Sequence, residues 1–161
     1  MRLARIATAG KAWLANDLTG AGAARYPGRW NLEGEYVVYA STTLALAMLE
    51  TVAHIDSHGL PLNRYVVWID VPDDVWGARR VLKEEDLPGG WDAIPHGMAS
   101  TQVGSDWYNA NQEALLELPS AIVPEESIVL INAKHKDAKR LKATTGRRID
   151  YNMVLRTLTE T

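Results

Sequence analysis

Glu50 stands out in this sequence on chemical grounds. It is the only charged residue between Glu35 and His54, in a segment otherwise made of Leu, Ala, Met, Val and Thr. On a helical wheel it lies beside Leu46 and two alanines, so its own side of the predicted helix is largely apolar. A carboxylate in such surroundings must be paired, must have a raised pKa, or must face a cleft that uses it. The alternative is a solvated glutamate on an amphipathic helix, and composition alone leaves both interpretations open.

Arg29 and Asn31 flank Trp30 in a run that begins with Pro27 and Gly28. Arginine is suited to bidentate contacts with phosphate or carboxylate groups, and a neighbouring glycine lets a ligand approach the backbone closely. Pro-Gly runs are more often ordinary turns with a solvated arginine. The run is therefore a candidate anion-binding turn that needs support from other residues.

Tyr39 and Ser120 are two further polar candidates in apolar surroundings. Tyr39 lies in the middle of the run 36–40, and Ser120 follows Pro119 at the start of another apolar run. Core packing is the usual role of a tyrosine in such a strand. By themselves these two residues carry no functional prediction.

A metal site and a serine hydrolase are both disfavoured. His54 and His58 are four positions apart with Asp56 between them, a spacing that could bind a metal on one helical face. However, Gly59 and Pro61 indicate that the helix is ending there, and the sequence offers no evident third ligand. A hydrolase would need a Gly-x-Ser-x-Gly turn, and none is present.

The elements that must position these residues can be predicted from periodicity and breakers. They indicate an α+β fold with mostly antiparallel central sheets and flanking helices, because strands and crossover helices do not alternate regularly. Residues 84–110 contain several Pro and Gly residues, so we expect a loop with short helical pieces around Trp107 and Glu113. The other predictions are strands at 36–40, 65–71, 120–123, 127–132 and, weakly, 147–155, a helix capped by Ser41 or Thr42 that ends near Gly59, and a helix at 136–143.

Length and composition predict one ordinary globular domain covering residues 1–161. The chain has 47% hydrophobic and 23% charged residues, a net charge of -3 and no cysteine. We therefore expect no disulfides, no direct nucleic-acid binding and, without a signal peptide or membrane span, a cytoplasmic location. Residues 133–161 carry eight basic and three acidic side chains. Such a basic end is usually a solvated surface, although it could meet an acidic partner.

Taken together, the candidate residues form an ordered series that strongly resembles RES domains, named for an Arg, a Glu and a Ser. The resemblance covers nearly the whole chain, and the order of its segments is more specific than any one of them. The segments are Gly28-Arg29-Trp30-Asn31, Val37-Val38-Tyr39-Ala40-Ser41, Leu44-Ala45-Leu46-Ala47-Met48-Leu49-Glu50, Ala99-Ser100-Thr101-Gln102 leading to Gly104 and Trp107, Leu118-Pro119-Ser120-Ala121-Ile122-Val123-Pro124, and Asn132 with His135.

This resemblance implies a toxin of a type II toxin-antitoxin pair, with a fold similar to ADP-ribosyltransferases, that depletes cellular NAD. NAD would be the substrate, and neither a further cofactor nor a metal is implied. The antitoxin would be an Xre-like DNA-binding protein that covers the active site in a hetero-oligomer. The family usually has a strongly basic or proline-containing stretch after its Asn and His, but here only Lys134 and Lys136 flank His135. No role is therefore assigned to His135.

The residue types agree with chemistry at the nicotinamide-ribose bond. Its cleavage passes through an oxocarbenium-like centre, which a carboxylate such as Glu50 would stabilise. The resemblance makes Glu50, Arg29 and Tyr39 catalytic and places Arg29, Tyr39, Ser120 and Asn31 at the substrate. Water, phosphate or a protein could accept the ADP-ribose, and NAD degradation is favoured because a compact domain offers no evident second domain for a protein substrate. A non-enzymatic nucleotide- or protein-binding module is the second alternative.

Overall fold

A single seven-stranded sheet organises the chain. The computed structural model describes residues 1–54 and 63–155. The strand order is β4-β5-β6-β2-β1-β3-β7, and every neighbouring pair is antiparallel except β4 and β5. The predicted α+β fold with a mostly antiparallel sheet is confirmed. The strands are β1 (Arg2–Thr8), β2 (Val37–Ser41), β3 (Arg64–Asp70), β4 (Arg80–Val81), β5 (Leu115–Pro119), β6 (Ser127–Asn132) and β7 (Lys142–Arg148).

Four α-helices accompany the sheet within the described ranges. They are α1 (Ala21–Arg25), α2 (Leu44–Val52), α3 (Asp73–Gly77) and α4 (Met98–Ala110). Short 3-10 turns occur at Glu84–Asp86, Lys136–Arg140 and Tyr151–Met153. In the part of the chain that the structure describes, no helix is both long and apolar enough to span a bilayer.

Side chains alternate between the two faces of the sheet, as expected for extended strands. One face carries Val38 and Val129 in a core closed by α3. The opposite face carries Val37 and Leu130, which pack with residues of α2 and α4. Tyr39 packs against this second core, so the second face is the one that holds the candidate site.

The β2-α2 unit follows the sequence prediction with a shifted cap. The hydroxyl of Thr43 accepts a hydrogen bond from the backbone N–H of Leu46 at 3.1 Å and is the N-cap of α2. The predicted caps, Ser41 and Thr42, are not used, because β2 continues through Ser41 in pairing with β6. α2 ends at Val52, and the predicted end near Gly59 lies outside the described residues.

The prediction for residues 84–110 was wrong in its second half. Met98–Ala110 form one continuous helix, α4, although it contains Gly104. A Cβ at Gly104 would lie 1.8 Å from the carbonyl oxygen of Trp30, so this glycine allows the helix to rest directly on the backbone of the 28–31 turn. The predicted helical piece at Glu113 is also absent, because that residue leads into β5.

Residues 120–123 do not form the predicted strand, and the strand in this region is β5, Leu115–Pro119. Ser120 ends that strand, because its hydroxyl accepts hydrogen bonds from the backbone N–H groups of Ile122 and Val123 and turns the chain. The helix predicted at 136–143 is a shorter 3-10 turn. The last strand lies at Lys142–Arg148 instead of 147–155, and β1 was not predicted at all.

Candidate functional site

Glu50 and Ser120 meet at the end of the sheet, although they are 70 positions apart in sequence. The hydroxyl of Ser120 donates a hydrogen bond to Oε1 of Glu50 at 2.7 Å. Ser120 is fully buried and its oxygen also accepts two backbone N–H groups, at 3.1 Å each, whereas Glu50 is half-buried. The serine is therefore fixed from three directions, and the carboxylate it holds is still reachable from solvent.

Arg29 is anchored through one nitrogen of its guanidinium. Nη1 donates hydrogen bonds to the carbonyl oxygens of Trp91 at 2.9 Å and Ala93 at 2.8 Å. Within residues 1–54 and 63–155, Nε and Nη2 make no hydrogen bond. Because Nη1 fixes the direction of the side chain, the remaining N–H groups keep a defined orientation in which they can bind an anion.

The backbone of Arg29 is held by α4. The hydroxyl of Thr101 lies 3.1 Å from the carbonyl oxygen of Arg29, to which it can donate, and Gly104 rests on the backbone of Trp30. The rings of Trp30 and Trp91 stack with their centroids 6.1 Å apart. Helix α4 and the loop around Trp91 thus support the arginine together.

Tyr39 and Asn31 make hydrogen bonds that shape the turn before β2. The phenol of Tyr39 donates to Oδ1 of Asn31 at 2.8 Å and accepts from the backbone N–H of Trp30 at 3.0 Å. Asn31 is 1% exposed, and its amide nitrogen donates to the carbonyl oxygens of Ala23 and Leu32. Burial raises the pKa of Tyr39 above its ordinary value, which favours the protonated phenol that donates to Asn31. Both side chains hold the segment that carries Arg29.

Glu35 is a buried carboxylate that sequence reasoning did not single out. One of its oxygens accepts from the backbone N–H of Leu32 at 2.7 Å, and the other accepts from the Ser105 hydroxyl at 2.5 Å and the Asn109 amide at 3.2 Å. It therefore ties the end of the turn to α4. The sequence signal was weak, because Glu35 follows a glycine in a polar run where an exposed glutamate is usual.

His96 is the second residue that the sequence did not reveal. Partial burial lowers the pKa of its imidazole, and the positive charges of Arg29 and His54 lower it further. The ring of His54 is hydrogen-bonded through Nδ1 to the carbonyl oxygen of Glu50 at 2.6 Å. His96 therefore lies near both Arg29 and the end of α2 that carries Glu50.

The RES domain profile matches residues 2–153 of the chain. The chain belongs to the RES domain family. It is 51% identical over 148 residues, 92% of both chains, to a Sphingobium protein named Prs ADP-ribosylating toxin. It is also 32% identical over 152 residues to a Photorhabdus laumondii protein named Toxin Res, covering 94% of this chain and 92% of that one. A Yersinia enterocolitica protein, again named Toxin Res, is 32% identical over 124 residues, 77% and 80% of the two chains.

Two polar residues near the end of this RES domain serve the fold. Asn132 is fully buried and donates to the carbonyl oxygen of Tyr108 and to the side chain of Asn111. His135 accepts the backbone N–H of Asp137 through Nδ1, so its Nε2 carries the proton that is donated to the carbonyl oxygen of Gln112. Oδ1 of Asn132 accepts the backbone N–H of Lys134, so the polar atoms of both buried side chains have partners.

The histidine pair considered as a metal site lies only partly within the residues that the structure describes. No group of three His, Cys, Asp or Glu side chains there could hold a metal ion. Asp56 and His58 lie outside the described residues. His54 is within them, and its ring contacts the backbone of Glu50.

Proposed function

We propose that this RES domain is a toxin that cleaves the nicotinamide-ribose bond of NAD and transfers ADP-ribose to a protein. The observation that carries the proposal is the hydrogen bond from Ser120 to the half-buried carboxylate of Glu50. A fully buried serine holds one carboxylate oxygen, and the carboxylate remains accessible to a substrate. This is the arrangement needed to stabilise a positive charge that develops on a sugar carbon.

In the proposed reaction the bond between C1′ of the ribose and the nicotinamide nitrogen breaks. The bonding electrons leave with nicotinamide, which becomes neutral, and an oxocarbenium-like cation develops at C1′. Glu50 stabilises this cation, and the acceptor then attacks C1′ and loses its proton to the carboxylate or to water. Arg29 holds the pyrophosphate with the N–H groups that its loop contacts leave available. Tyr39 and Asn31 contribute by fixing the turn that carries Arg29, in addition to the substrate contacts that the family resemblance implies.

The choice of acceptor follows from the relatives. The Sphingobium protein is 51% identical and its name describes ADP-ribosylation of Prs, which favours transfer to a protein. NAD degradation with water or phosphate as acceptor uses the same cleavage step and the same carboxylate, so it stands as the second candidate. NAD acts as the substrate in both cases, and no further cofactor is invoked.

The test incubates purified protein with NAD, with and without a lysate of a related bacterium. Wild-type protein should release nicotinamide, and mass spectrometry should find ADP-ribose on a lysate protein. Glu50→Gln should reduce nicotinamide release at least about a hundredfold, since it removes the negative charge that the transition state requires. Glu85→Gln is the matched control, because it removes an equal charge from an exposed surface position.

The outcomes separate the candidates. Nicotinamide release with free ADP-ribose as the sole product would replace the protein acceptor by water, and ADP-ribose 1″-phosphate would replace it by inorganic phosphate. Undiminished NAD with intact NAD binding would reject the enzyme and favour a binding module. Full activity of Glu50→Gln would remove this carboxylate from the mechanism.

The proposed partner is an Xre-like antitoxin that covers the site in a hetero-oligomer in the cytoplasm. A free enzyme that consumes NAD would harm the cell that makes it. Cells that express Glu50→Gln without an antitoxin should therefore grow normally, whereas cells that express the wild-type chain alone should stop growing. Equal growth of the two strains at equal protein levels would contradict the toxin proposal.

A further inference from the structure

An open pocket of about 300 Å³ lies beside Arg29. It is formed by the turn at 27–33 and by residues 96–101, at the start of α4. A volume of this size is at the lower end of the range for small-molecule sites. Neither Glu50 nor Ser120 lines it, so it is separate from the proposed position of bond cleavage.

Apolar side chains and two glycines form much of the pocket wall. Pro27, Leu32 and Met98 supply hydrophobic surface, and Met98 is 63% exposed. Gly28 and Gly97 also line it, so two stretches of wall have no side chain. A planar aromatic ring can lie directly against such backbone.

The polar groups of the pocket are distributed unevenly. The Thr101 hydroxyl lies within hydrogen-bond distance of the carbonyl oxygens of Arg29 and Gly97, which engages it within the protein. Of the ionisable side chains, Glu33 and His96 line the pocket, and neither lysine nor arginine is among the lining residues. The Glu33 carboxylate disfavours a phosphate there but can accept hydrogen bonds from sugar hydroxyls, as acidic residues do in dinucleotide sites.

The pocket lies close to Arg29 and to the end of α2 that carries Glu50. His96 lines the pocket and its imidazole is close enough to Arg29 and His54 for their charges to lower its pKa. His54 is in turn bonded to the backbone of Glu50. The pocket therefore adjoins Arg29 through Gly28, and its residue His96 lies near the end of α2 that carries Glu50.

We infer that this pocket binds the adenosine half of NAD, with the purine on the glycine walls and the ribose hydroxyls on Glu33. Arg29 then receives the pyrophosphate, and the nicotinamide ribose reaches Glu50. This inference rests on the proposed function, because it assumes NAD as the ligand. It gives a physical reason for the dinucleotide as substrate: the uncharged nucleoside occupies the pocket without cations, and the phosphates lie at the guanidinium.

The test uses Gly97→Leu to fill the pocket from its wall. Gly97 has φ -120° and ψ -166°, an extended conformation open to any residue, and a Cβ added there meets no atom within 4 Å. Because Gly97 lines the pocket and an added Cβ there meets open space, we expect leucine to reduce the pocket volume without displacing the protein. Gly77→Leu is the matched control, because its Cβ also meets nothing within 4 Å and α3 packs on the other face of the sheet.

Binding of AMP and of nicotinamide mononucleotide is measured by ligand-observed NMR titration against both variants and the wild type. Each probe carries one phosphate for Arg29, and they differ in the base. Gly97→Leu should weaken AMP at least about tenfold and leave nicotinamide mononucleotide within about twofold, and Gly77→Leu should change neither. Glu33→Gln should weaken AMP while leaving 2′,3′-dideoxy-AMP unchanged.

Unaltered AMP affinity in Gly97→Leu would overturn the assignment, as would a selective loss of nicotinamide mononucleotide, which would place the other half of NAD here. If the wild-type chain releases nicotinamide from NAD and Gly97→Leu gives either of these binding results, the pocket assignment alone is refuted. A wild-type chain that releases no nicotinamide refutes the proposed function, irrespective of AMP binding.

Discussion

Replacing Ser120 by alanine removes a hydroxyl that makes three hydrogen bonds in a fully buried position. It donates to Glu50 at 2.7 Å and accepts from the backbone N–H groups of Ile122 and Val123 at 3.1 Å each. Because Ser120 has no exposed surface, water has no direct route to replace the hydroxyl. The substitution therefore affects both the turn after β5 and the orientation of the carboxylate.

The expected magnitude follows from these bonds. A hydrogen bond to a charged group contributes about 1.5–3 kcal/mol, and the two backbone amides lose a shared acceptor. We expect a loss of about 2–4 kcal/mol in the free energy of unfolding, which lowers Tm by about 4–16 °C for a domain of this size. If the bond to Glu50 serves catalysis, kcat/KM for NAD should fall about 10- to 150-fold.

The assay measures Tm by calorimetry and nicotinamide release at a temperature where the variant is folded. Ser105→Ala is the matched control, because the Ser105 hydroxyl is also buried and donates to a buried carboxylate, that of Glu35, at 2.5 Å. Its Tm should fall by a similar amount, with kcat/KM changed less than about threefold, since Glu35 keeps two other donors. A Ser120→Ala enzyme with wild-type kcat/KM would refute the positioning of Glu50 by this serine.

Three further predictions concern the support of the arginine turn. Gly104→Ala should lower Tm by several degrees, because its Cβ would lie 1.8 Å from the Trp30 carbonyl oxygen, whereas Gly22→Ala, with nothing within 4 Å, should not. Arg29→Lys should raise KM for NAD about tenfold or more in steady-state kinetics, because an ammonium held by two carbonyls cannot also present a planar pair of N–H groups to an anion. The pKa of Tyr39 is raised in the folded protein, so the free energy of unfolding should fall as pH rises above about 10, where the phenol ionises in the unfolded chain. Denaturation measured across this pH range should show a smaller fall in Tyr39→Phe.

The sequence singled out the candidate site residues, whose catalytic and substrate-binding roles stay predictions, but it missed much of the structure that supports them. Glu50 could be recognised because a carboxylate in an apolar helix segment is physically unusual, and the family motifs added Arg29 and Ser120. The structure brings Glu50 and Ser120 into contact. Whether Tyr39 and Asn31 contact substrate stays a prediction, and both already hold the turn through hydrogen bonds.

The elements that were missed have tertiary causes. α4 could not be predicted because Gly104 is unfavourable in an isolated helix, and its benefit is a close contact with Trp30, which is distant in sequence. The strand at 120–123 was misplaced because a local bond from the Ser120 hydroxyl to the following amides overrides the β propensity of Ile122 and Val123. A short apolar run in the sequence does not reveal contacts of these two kinds.

The pairing of β2 with β6 also bears on when the proposed active site can be complete during synthesis. Glu50 leaves the ribosome early, but its partner Ser120 and the strand that fixes β2, Ser127–Asn132, are translated much later. A nascent or prematurely terminated chain that lacks β6 has no complete site. We therefore expect translation to provide an interval in which the proposed toxin lacks its activity, and this interval ends once β6 has been made.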